Sequence, residues 1–259
     1  MNRFFTLRLF VDHSLEADGL VEVSEDQAHY LTQVMRIKPL EEIALFNGRE
    51  GEWIARTESI NRRQVQLRIL RLNRLQPAAV ELHLFFALLK KDPTDWLIAK
   101  ATELGVSHFH PMITQYTMAE RAKIERWQRI AVEAAEQSQR LNIPQMDEPV
   151  PLATVFQTWS PDCPVFLCAE KGQAQSFRSL FETSGHKFAP KGAVMIGPEG
   201  GFHQKELDFI ASHPFVWAVG LGPRLLRAET AAMAALVSWQ LCFGDTLERP
   251  AAMLSHPIN

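Results

Sequence analysis

From Phe4 to about Leu72, apolar and polar residues mostly alternate with a period of two, which is typical of strands that bury one face. Turn residues such as Asn47-Gly48 and Glu50-Gly51 separate these short runs. The pattern favours a small β-barrel or sandwich. Glu25 to Arg36 is the exception, because its apolar residues recur at helical spacing, and this segment is predicted to be a helix.

The pattern changes after Gln76-Pro77-Ala78-Ala79, the best candidate for a domain boundary. From there strands and helices alternate, beginning with a strand at 80–89 and a helix that Asp92-Pro93 opens. Such alternation predicts a mostly parallel sheet with helices on both faces. The further predicted elements are strands at 106–112, 165–169, 193–196 and 215–221, and helices at 119–141, 176–183, 204–212 and 228–243. The tail from Leu247 carries no pattern, and we expect it to be mobile.

Two glycine-bearing loops follow the last two predicted strands, one at 197–202 and one at 220–227. In an open α/β sheet, ligands bind beyond the carboxyl ends of the strands, so we expect a small-molecule site here. The paired glycines either form a tight turn or let a flat ligand lie against bare backbone. Leu225-Leu226 either pack into the core of the domain or line an apolar pocket. Arg227 and Glu229 either pair with each other or serve as the polar groups of an active site.

The composition is that of an ordinary soluble protein, with 46% hydrophobic residues, 22% charged residues and a formal net charge of −3. No apolar run approaches the roughly 20 residues that span a bilayer, and no signal-peptide core is present, so we expect a cytoplasmic protein. Arginines are concentrated between Arg56 and Arg74, where Glu58 is the only acid. They form either a solvated strand face or, with Arg3, Arg8 and Arg36, a surface that holds phosphates.

Several kinds of chemistry are disfavoured by the motifs that the sequence lacks. His29, His108 and His110 do not have metal-ligand spacing, and there is no nucleophilic serine motif. The glycine loop at 197–202 has neither the glycine spacing of a dinucleotide site nor the lysine followed by Ser or Thr of a phosphate-binding loop. The three cysteines are interpreted as reduced core thiols. We therefore expect no metal, no acyl transfer and no dinucleotide oxidoreductase.

Taken together, the motifs resemble one family, the SPOUT-class methyltransferases that modify N3 of a uridine in small-subunit ribosomal RNA, known as ribosomal RNA small-subunit methyltransferase E. Lys100–Val106 and Glu133–Ser138 are the most specific matches, whereas the glycine loops are shared across SPOUT enzymes. The other matching pieces are His29 with Val34-Met35-Arg36, Lys90-Lys91, Arg140 with Ile143-Pro144, Ile196–Gly201, Leu221-Gly222 and Leu225–Ala231.

The resemblance implies that the first predicted domain, residues 1–75, is a PUA-like β-barrel for RNA, and that the second, residues 76–246, is a SPOUT α/β domain. The tail 247–259 follows. The α/β domain is mostly parallel, and its last strands and helix form a trefoil knot. A homodimer and S-adenosylmethionine bound in the knot loops are also implied. The residues assigned to the cofactor on this basis are Leu167, Ala169, Ile196, Gly197, Gly200, Gly201, Leu221, Gly222, Leu225 and Leu226.

The implied reaction requires loss of the uracil N3 proton. Arg227 is the candidate that stabilises the resulting anion, and Glu229 or Glu199 is the candidate base. The partner is small-subunit ribosomal RNA or the assembled subunit, with no membrane. Residues assigned to RNA are Arg3, Arg36, Arg63, Arg68, Lys90 and Arg140. The alternatives are a SPOUT enzyme for transfer RNA or another ribosomal position, and a non-catalytic RNA-binding protein of the same fold.

Overall fold

The computed structural model describes residues 7–61, 63–78, 80–117, 122–168, 174–184 and 191–245. By its internal contacts the chain divides into two compact units. The first contains the chain up to Ala78 together with Ala135–Ile143, and the second contains the described residues of 80–134 and 144–245. Within the described residues, no helix has both the length and the apolar character needed to cross a membrane.

The first unit is built on a five-stranded mixed sheet in the order β1-β3-β4-β5-β2. β1 pairs with β3 in parallel, and the other pairs are antiparallel. In β5 the alternate residues Val65, Leu67 and Ile69 are fully buried, which confirms the period of two in the sequence. The strands are β1 (Arg8–Phe10), β2 (Leu20–Glu22), β3 (Glu42–Phe46), β4 (Glu52–Ile60) and β5 (Val65–Arg74).

The predicted helix within this unit is present, and it changes type along its length. α1 (Glu25–His29) begins with a capping box between Ser24 and Gln27 and continues as a π-helical segment, Tyr30–Val34. Arg36 has a φ of 52°, which a continuing helix does not allow. The helix prediction is therefore confirmed, with an irregular second half.

The second unit contains a seven-stranded sheet in the order β12-β10-β11-β6-β7-β8, with β9 also paired to β7. Every pair in this sheet is parallel. Parallel strands need crossover connections, and the helices provide them. The strands are β6 (Glu81–Ala87), β7 (His108–Ile113), β8 (Gln145–Met146), β9 (Val150–Pro151), β10 (Val165–Cys168), β11 (Lys191–Ile196) and β12 (Val216–Val219).

Helices cover both faces of this sheet, as the alternation of strands and helices in the sequence predicts. On one face, residues such as Phe86 and Val194 share a core with Trp127 and Trp239. On the other face, Phe85 and Met195 share a core with residues of the two shorter helices α4 and α6. The helices are α2 (Lys91–Glu103), α3 (Ile124–Gln137), α4 (Leu152–Val155), α5 (Phe177–Ser184), α6 (Gln204–Ala211) and α7 (Ala228–Phe243).

Two predicted helix boundaries are wrong. α2 begins before Asp92, with Lys90 as its N-cap, so Asp92 lies in the first turn, where its charge favours the helix. α3 is shorter than the predicted 119–141, because Gln139 has a φ of 62° and ends the helical path.

Candidate active site

The two glycine loops lie at the same edge of the sheet. They follow β11 and β12, which flank β10, and all three strands are parallel. The segments that follow β6 and β7 reach the same edge, because those strands continue the parallel order beside β11. This is the edge at which open α/β sheets bind ligands.

Gly201 and Gly222 each take a conformation that favours glycine and leave space beside the backbone. Their φ angles are 71° and 98°. A Cβ atom built on either residue would meet nothing within 4 Å. Gly200 differs, since its Cβ would lie 3.3 Å from Cβ of Tyr116. The loops therefore present open backbone at two positions and a closely packed wall at a third.

The leucines of the second loop do not form one group. Leu225 is 80% exposed, so its side chain does not pack into the core of the domain. Leu226 is half-buried, and Leu221 packs partly against the main core. An exposed leucine beside open glycine backbone forms an apolar surface suited to a flat ring.

Two residues assigned to the cofactor have side chains inside the protein. Ile196 and Leu167 are 3% and 4% exposed and pack on opposite faces of the sheet. Only their main-chain atoms are therefore candidates for ligand contact. Gly197 is also packed from within, because its Cβ would lie 2.9 Å from the ring of Phe202. Ala169 lies outside the described residues.

The polar candidates stand at the start of α7. Arg227 is the N-cap residue, and its carbonyl accepts a hydrogen bond from the N–H of Ala231 at 2.8 Å. Its side chain is exposed, whereas Glu229 in the first turn is half-buried. No ion pair joins these two described side chains, so they do not form a structural clasp. The free N–H groups of the first turn favour negative charge nearby.

A cavity of about 590 Å³ opens between the segments that follow β6, β7 and β11. It brings together Lys90 and Glu199, which are far apart in sequence. Tyr116 is 44% exposed beside them. Gln115, Tyr116 and Thr117 were missed in the sequence, although their place after a strand that ends at this edge was a usable signal. The lining residues are Lys90, Gln115, Tyr116, Thr117, Glu199 and Gly200.

The wall formed by Gln115 and Tyr116 is held in place by α6. The carboxylate of Glu206 accepts a hydrogen bond from the N–H of Gln115 at 2.8 Å and another from the N–H of His203 at 2.9 Å. The ring of His203 meets Tyr116 edge-on, with 6.0 Å between centroids. Glu206 therefore couples the cavity wall to the first turn of α6.

Most of the clustered arginines are neutralised by acids from neighbouring strands. Arg68 makes two hydrogen bonds of 2.8 Å to Glu58, and Arg56 and Arg71 both pair with Glu42. The hydrogen bond from Arg71, together with one from Arg56, outweighs the opposing effect of burial and lowers the pKa of Glu42. The local sequence shows only Glu58, whereas the structure also pairs Arg56 and Arg71 with Glu42, which favours the solvated strand face over a surface that holds phosphates.

The remaining residues assigned to RNA differ in their surroundings. Arg36 and Arg63 are exposed in the first unit. Arg140 is half-exposed in the same unit, and its carbonyl accepts a hydrogen bond from Arg8 at 2.7 Å. Arg3 lies outside the described residues.

Two regions of the chain match the models of known protein families. A family model described as an RNA methyltransferase domain matches residues 76–240. A second, described as an RNA methyltransferase PUA domain, matches residues 23–70. The first match covers the part of the chain in which strands and helices alternate, and the second lies within the part that has a period of two.

Individual relatives match over most of their length. The ribosomal RNA small subunit methyltransferase E of Rickettsia conorii is 29% identical, over 90% of this chain and 95% of its own. The protein of the same name from Synechocystis is 30% identical, over 88% of this chain and 75% of its own.

Solved structures match in the same way. The ribosomal RNA small subunit methyltransferase E of Neisseria gonorrhoeae, bound to S-adenosyl methionine, has a TM-score of 0.84 and 25% identity, covering 93% of this chain and all of its own. A methyltransferase from Legionella pneumophila in complex with the same cofactor has a TM-score of 0.81 and 29% identity, covering 92% and 98%. These matches confirm the predicted fold class, a SPOUT-type α/β domain with an N-terminal PUA-like domain.

Proposed function

We propose that this chain, which belongs to the RNA methyltransferase family of ribosomal RNA small subunit methyltransferase E, transfers a methyl group from S-adenosylmethionine to N3 of one uridine in small-subunit ribosomal RNA. The observation that carries the proposal is that two open glycine loops, and a cavity lined by Lys90, Tyr116 and Glu199, lie at one edge of a parallel sheet. Such an enzyme works where ribosomal subunits are assembled, so we place it in the cytoplasm.

The glycine loops fit S-adenosylmethionine by their shape. Gly201 and Gly222 leave room for a ligand against the main chain, and Leu225 offers an apolar surface to an adenine ring. When bound, the cofactor supplies an electrophilic methyl group. The main chain at Ile196, Gly197, Leu221 and the neighbouring loop residues would hold and orient it.

The cavity beside these loops fits the uracil base. Tyr116 offers a ring for stacking, and base–aromatic stacking contributes about 1–3 kcal/mol per base. N3 lies on the pairing edge of uracil, so the nucleotide must be unpaired or flipped to enter. Methyl transfer is an in-line displacement, so most of the rate enhancement comes from holding the base in line with the methyl group.

Proton removal from N3 is the second task of the site. Arg227 at the start of α7 is suited to stabilise the negative charge that develops on the uracil carbonyls. Glu199 lines the cavity and is the better placed of the two candidate bases, whereas Glu229 lies in the first helical turn. An ordinary carboxylate is a weak base for this proton, so the stabilisation of the anion is expected to dominate.

RNA binding is assigned to exposed basic side chains that hold phosphates. Arg36, Arg63 and Lys90 are exposed, and Arg68 must exchange its partner Glu58 for a phosphate to take part. Phosphate contacts position the RNA without reading its sequence. Selection of a single uridine then depends on the shape of the RNA around it.

A homodimer is supported by the surface of α7. This helix is apolar nearly all round, a pattern typical of helices covered on every side. Val237 and Leu241 are nevertheless 41% and 61% exposed in the single chain. We propose that a second copy of the chain covers them.

The reaction is tested by incubating the purified protein with labelled S-adenosylmethionine and small subunits from cells that lack it. We expect one labelled 3-methyluridine per subunit, located by nuclease digestion and mass spectrometry. Preferential labelling of bulk transfer RNA would favour the alternative SPOUT substrate. Cofactor binding with no transfer to any RNA would favour the non-catalytic alternative.

A further inference from the structure

Three histidines meet near the amino ends of β6 and β7, away from the edge that carries the glycine loops. His83 in β6 is in register with His108 in β7, and His110 follows two residues later. Residues two apart on a strand share a face, so all three side chains project from one face of the sheet. Their ring centroids lie 4.1 to 5.5 Å apart.

Three of the six ring nitrogens already lie within hydrogen-bonding distance of a carboxylate. Asp147 lies 2.7 Å from Nε2 of His108 and 2.6 Å from Nδ1 of His110. Glu81 lies 3.2 Å from Nε2 of His83. The tautomers follow from these contacts, since an ionised carboxylate only accepts hydrogen bonds and each of these nitrogens must carry a hydrogen.

The nitrogens on the opposite sides of the rings face one another. Nδ1 of His83 lies 2.8 Å from Nε2 of His110. If Glu81 and Asp147 each receive an N–H, both of these nitrogens carry lone pairs, and two lone pairs at this distance repel. A cation between them removes the conflict. One ligand atom from each of the three histidines lies within 4.8 Å of the others.

We propose that His83, His108 and His110 bind one zinc ion, with Glu81 and Asp147 as the carboxylates that orient the rings. The ligand atoms are Nδ1 of His83, Nε2 of His110 and the nitrogen of His108 opposite the one that Asp147 holds. Metal-binding histidines almost always give their other N–H to a carboxylate, a carbonyl or water, and here each has a carboxylate in place. A three-histidine set leaves a fourth position for water.

The surroundings suit neutral imidazoles. The side chains of His83 and His110 are 12% and 13% exposed, and Trp159 lies edge-on to both rings. Burial away from water disfavours the charged imidazolium form of both rings. Neutral imidazole is the form that binds zinc.

Formation of the site requires the rings to reorient and the ligand atoms, which lie within 4.8 Å of one another, to close around the ion. Tetrahedral zinc with bonds of about 2.0–2.1 Å separates two nitrogens by about 3.3 Å, so the contact between His83 and His110 must widen slightly. The rings lie within 22–29° of parallel and must turn for their lone pairs to converge. Asp147 is 48% exposed and is free to follow them.

The spacing in the sequence does not reveal this cluster. His83 is 27 positions from His110, and Asp147 is 37 positions from it. The sheet register brings them together, which is why the spacing of His29, His108 and His110 in the sequence gave no sign of the cluster.

The test uses the full chain, stripped with a chelator and titrated with Co²⁺ and then Zn²⁺. We expect one ion per chain, a visible absorption band of tetrahedral cobalt, its loss when zinc is added, and a zinc-dependent rise in melting temperature. Asp147→Asn should weaken zinc binding about 10–100-fold. His108→Gln should weaken it at least as much, whereas His13→Gln, at an exposed histidine outside the cluster, should change nothing.

Three results would overturn the proposal. The first is the absence of stoichiometric binding in the unmodified chain. The second is unchanged affinity in both His108→Gln and Asp147→Asn. The third is a sulfur-to-cobalt charge-transfer band, which would place the ion on Cys163 beside His83 and Glu81. If a histidine variant fails to fold, Asp147→Asn at its half-exposed position decides the matter.

Discussion

At the scale of single residues, glycine is needed in the second loop for two separate reasons. Gly222 has a left-handed backbone conformation, with a φ of 98°, and no other atom lies within 4 Å of the place where a Cβ would stand. Gly48 in the first unit has a similar φ of 81° but no proposed ligand. Substitutions at Gly48 and Gly222 should therefore cause similar backbone strain, but only a substitution at Gly222 should also obstruct the proposed binding surface.

Substitution of Gly222→Ala is expected to weaken S-adenosylmethionine binding tenfold or more, which corresponds to about 1.4 kcal/mol. Both Gly222→Ala and the control Gly48→Ala should also lose about 1–2 kcal/mol of folding stability from left-handed strain. Calorimetric titration with the cofactor, with thermal melts of both variants, measures the two effects. Equal cofactor affinity in the two variants would contradict the assignment of this loop.

Substitution of Arg227→Ala should lower kcat about 10²–10³-fold and leave cofactor affinity unchanged, because the lost donor acts on charge that develops only in the reaction. Arg224→Ala, at an exposed position in the same loop, is the control. Single-turnover methylation of small-subunit RNA gives the rates. A loss confined to cofactor binding would reassign Arg227 to the cofactor.

Substitution of Tyr116→Ala should weaken RNA binding by the stacking contribution of one base, about 1–3 kcal/mol. Tyr116→Phe keeps the ring and should keep the affinity. Binding of an unpaired uridine-containing RNA to both variants checks this. If the two variants bind alike, the ring does not stack on the base.

At the scale of elements, a buried ion cluster connects three strands of the first unit to the segment Ala135–Ile143. Glu52 in β4 accepts hydrogen bonds from Arg8 at 2.6 Å and from Arg74 at 2.5 and 2.8 Å. Arg8 also donates to the carbonyls of Glu136 and Arg140. One carboxylate therefore fixes two arginines, one of which closes the end of α3.

Substitution of Glu52→Gln should lower the free energy of unfolding by about 3–5 kcal/mol, because it leaves two buried arginines without their counter-charge. Glu58→Gln, which removes an exposed partner of Arg68, should leave stability nearly unchanged. Urea denaturation of both variants provides the comparison. Similar midpoints for the two would show that the buried cluster contributes no more than a surface pair.

The same cluster predicts acid sensitivity. Burial alone would raise the pKa of Glu52, but hydrogen bonds and charge from Arg74 and Arg8 outweigh it and leave the pKa below its ordinary value. A carboxylate with a lowered folded-state pKa contributes stability above its unfolded pKa of about 4.3, and that stability is lost as pH falls through the folded value. Urea midpoints from pH 7 downward should therefore fall more steeply for the unmodified chain than for Glu52→Gln.

At the scale of the whole molecule, the proposed homodimer predicts that the exposed apolar residues of α7 determine the state of assembly. Leu241→Glu places a charge on the surface that a second copy is proposed to cover, so we expect it to shift the protein from dimer to monomer. Light scattering after gel filtration measures the mass. Glu182→Gln, at an exposed ion pair on α5, should leave it unchanged. A variant that remains dimeric would place the interface elsewhere.

Long periodic elements were predictable from the sequence, and contacts across strands were not. The limits of α7 were predicted as observed, because apolar residues fill it from Ala228 to Phe243. β8 and β9 are two residues each and carry no period to detect. The partners of Arg56 and Arg71 were missed for another reason, since Glu42 reaches them only through strand pairing.

The candidate site was likewise predictable only where its residues are close in sequence. The glycine loops were found because each directly follows an apolar strand. Tyr116 and the histidine cluster were not, because strand register and not sequence proximity sets their neighbours.

The first unit takes Ala135–Ile143 from a part of the chain well beyond its own strands, and Phe46 packs against Ala135 and Leu141 there. During synthesis, the amino-terminal strands therefore emerge long before the residues that complete their packing. A nascent chain halted after Ala78 would expose an unfinished core and remain open to proteases. Ribosome-bound chains of increasing length should become protease-resistant in this region only once residue 143 has left the exit tunnel.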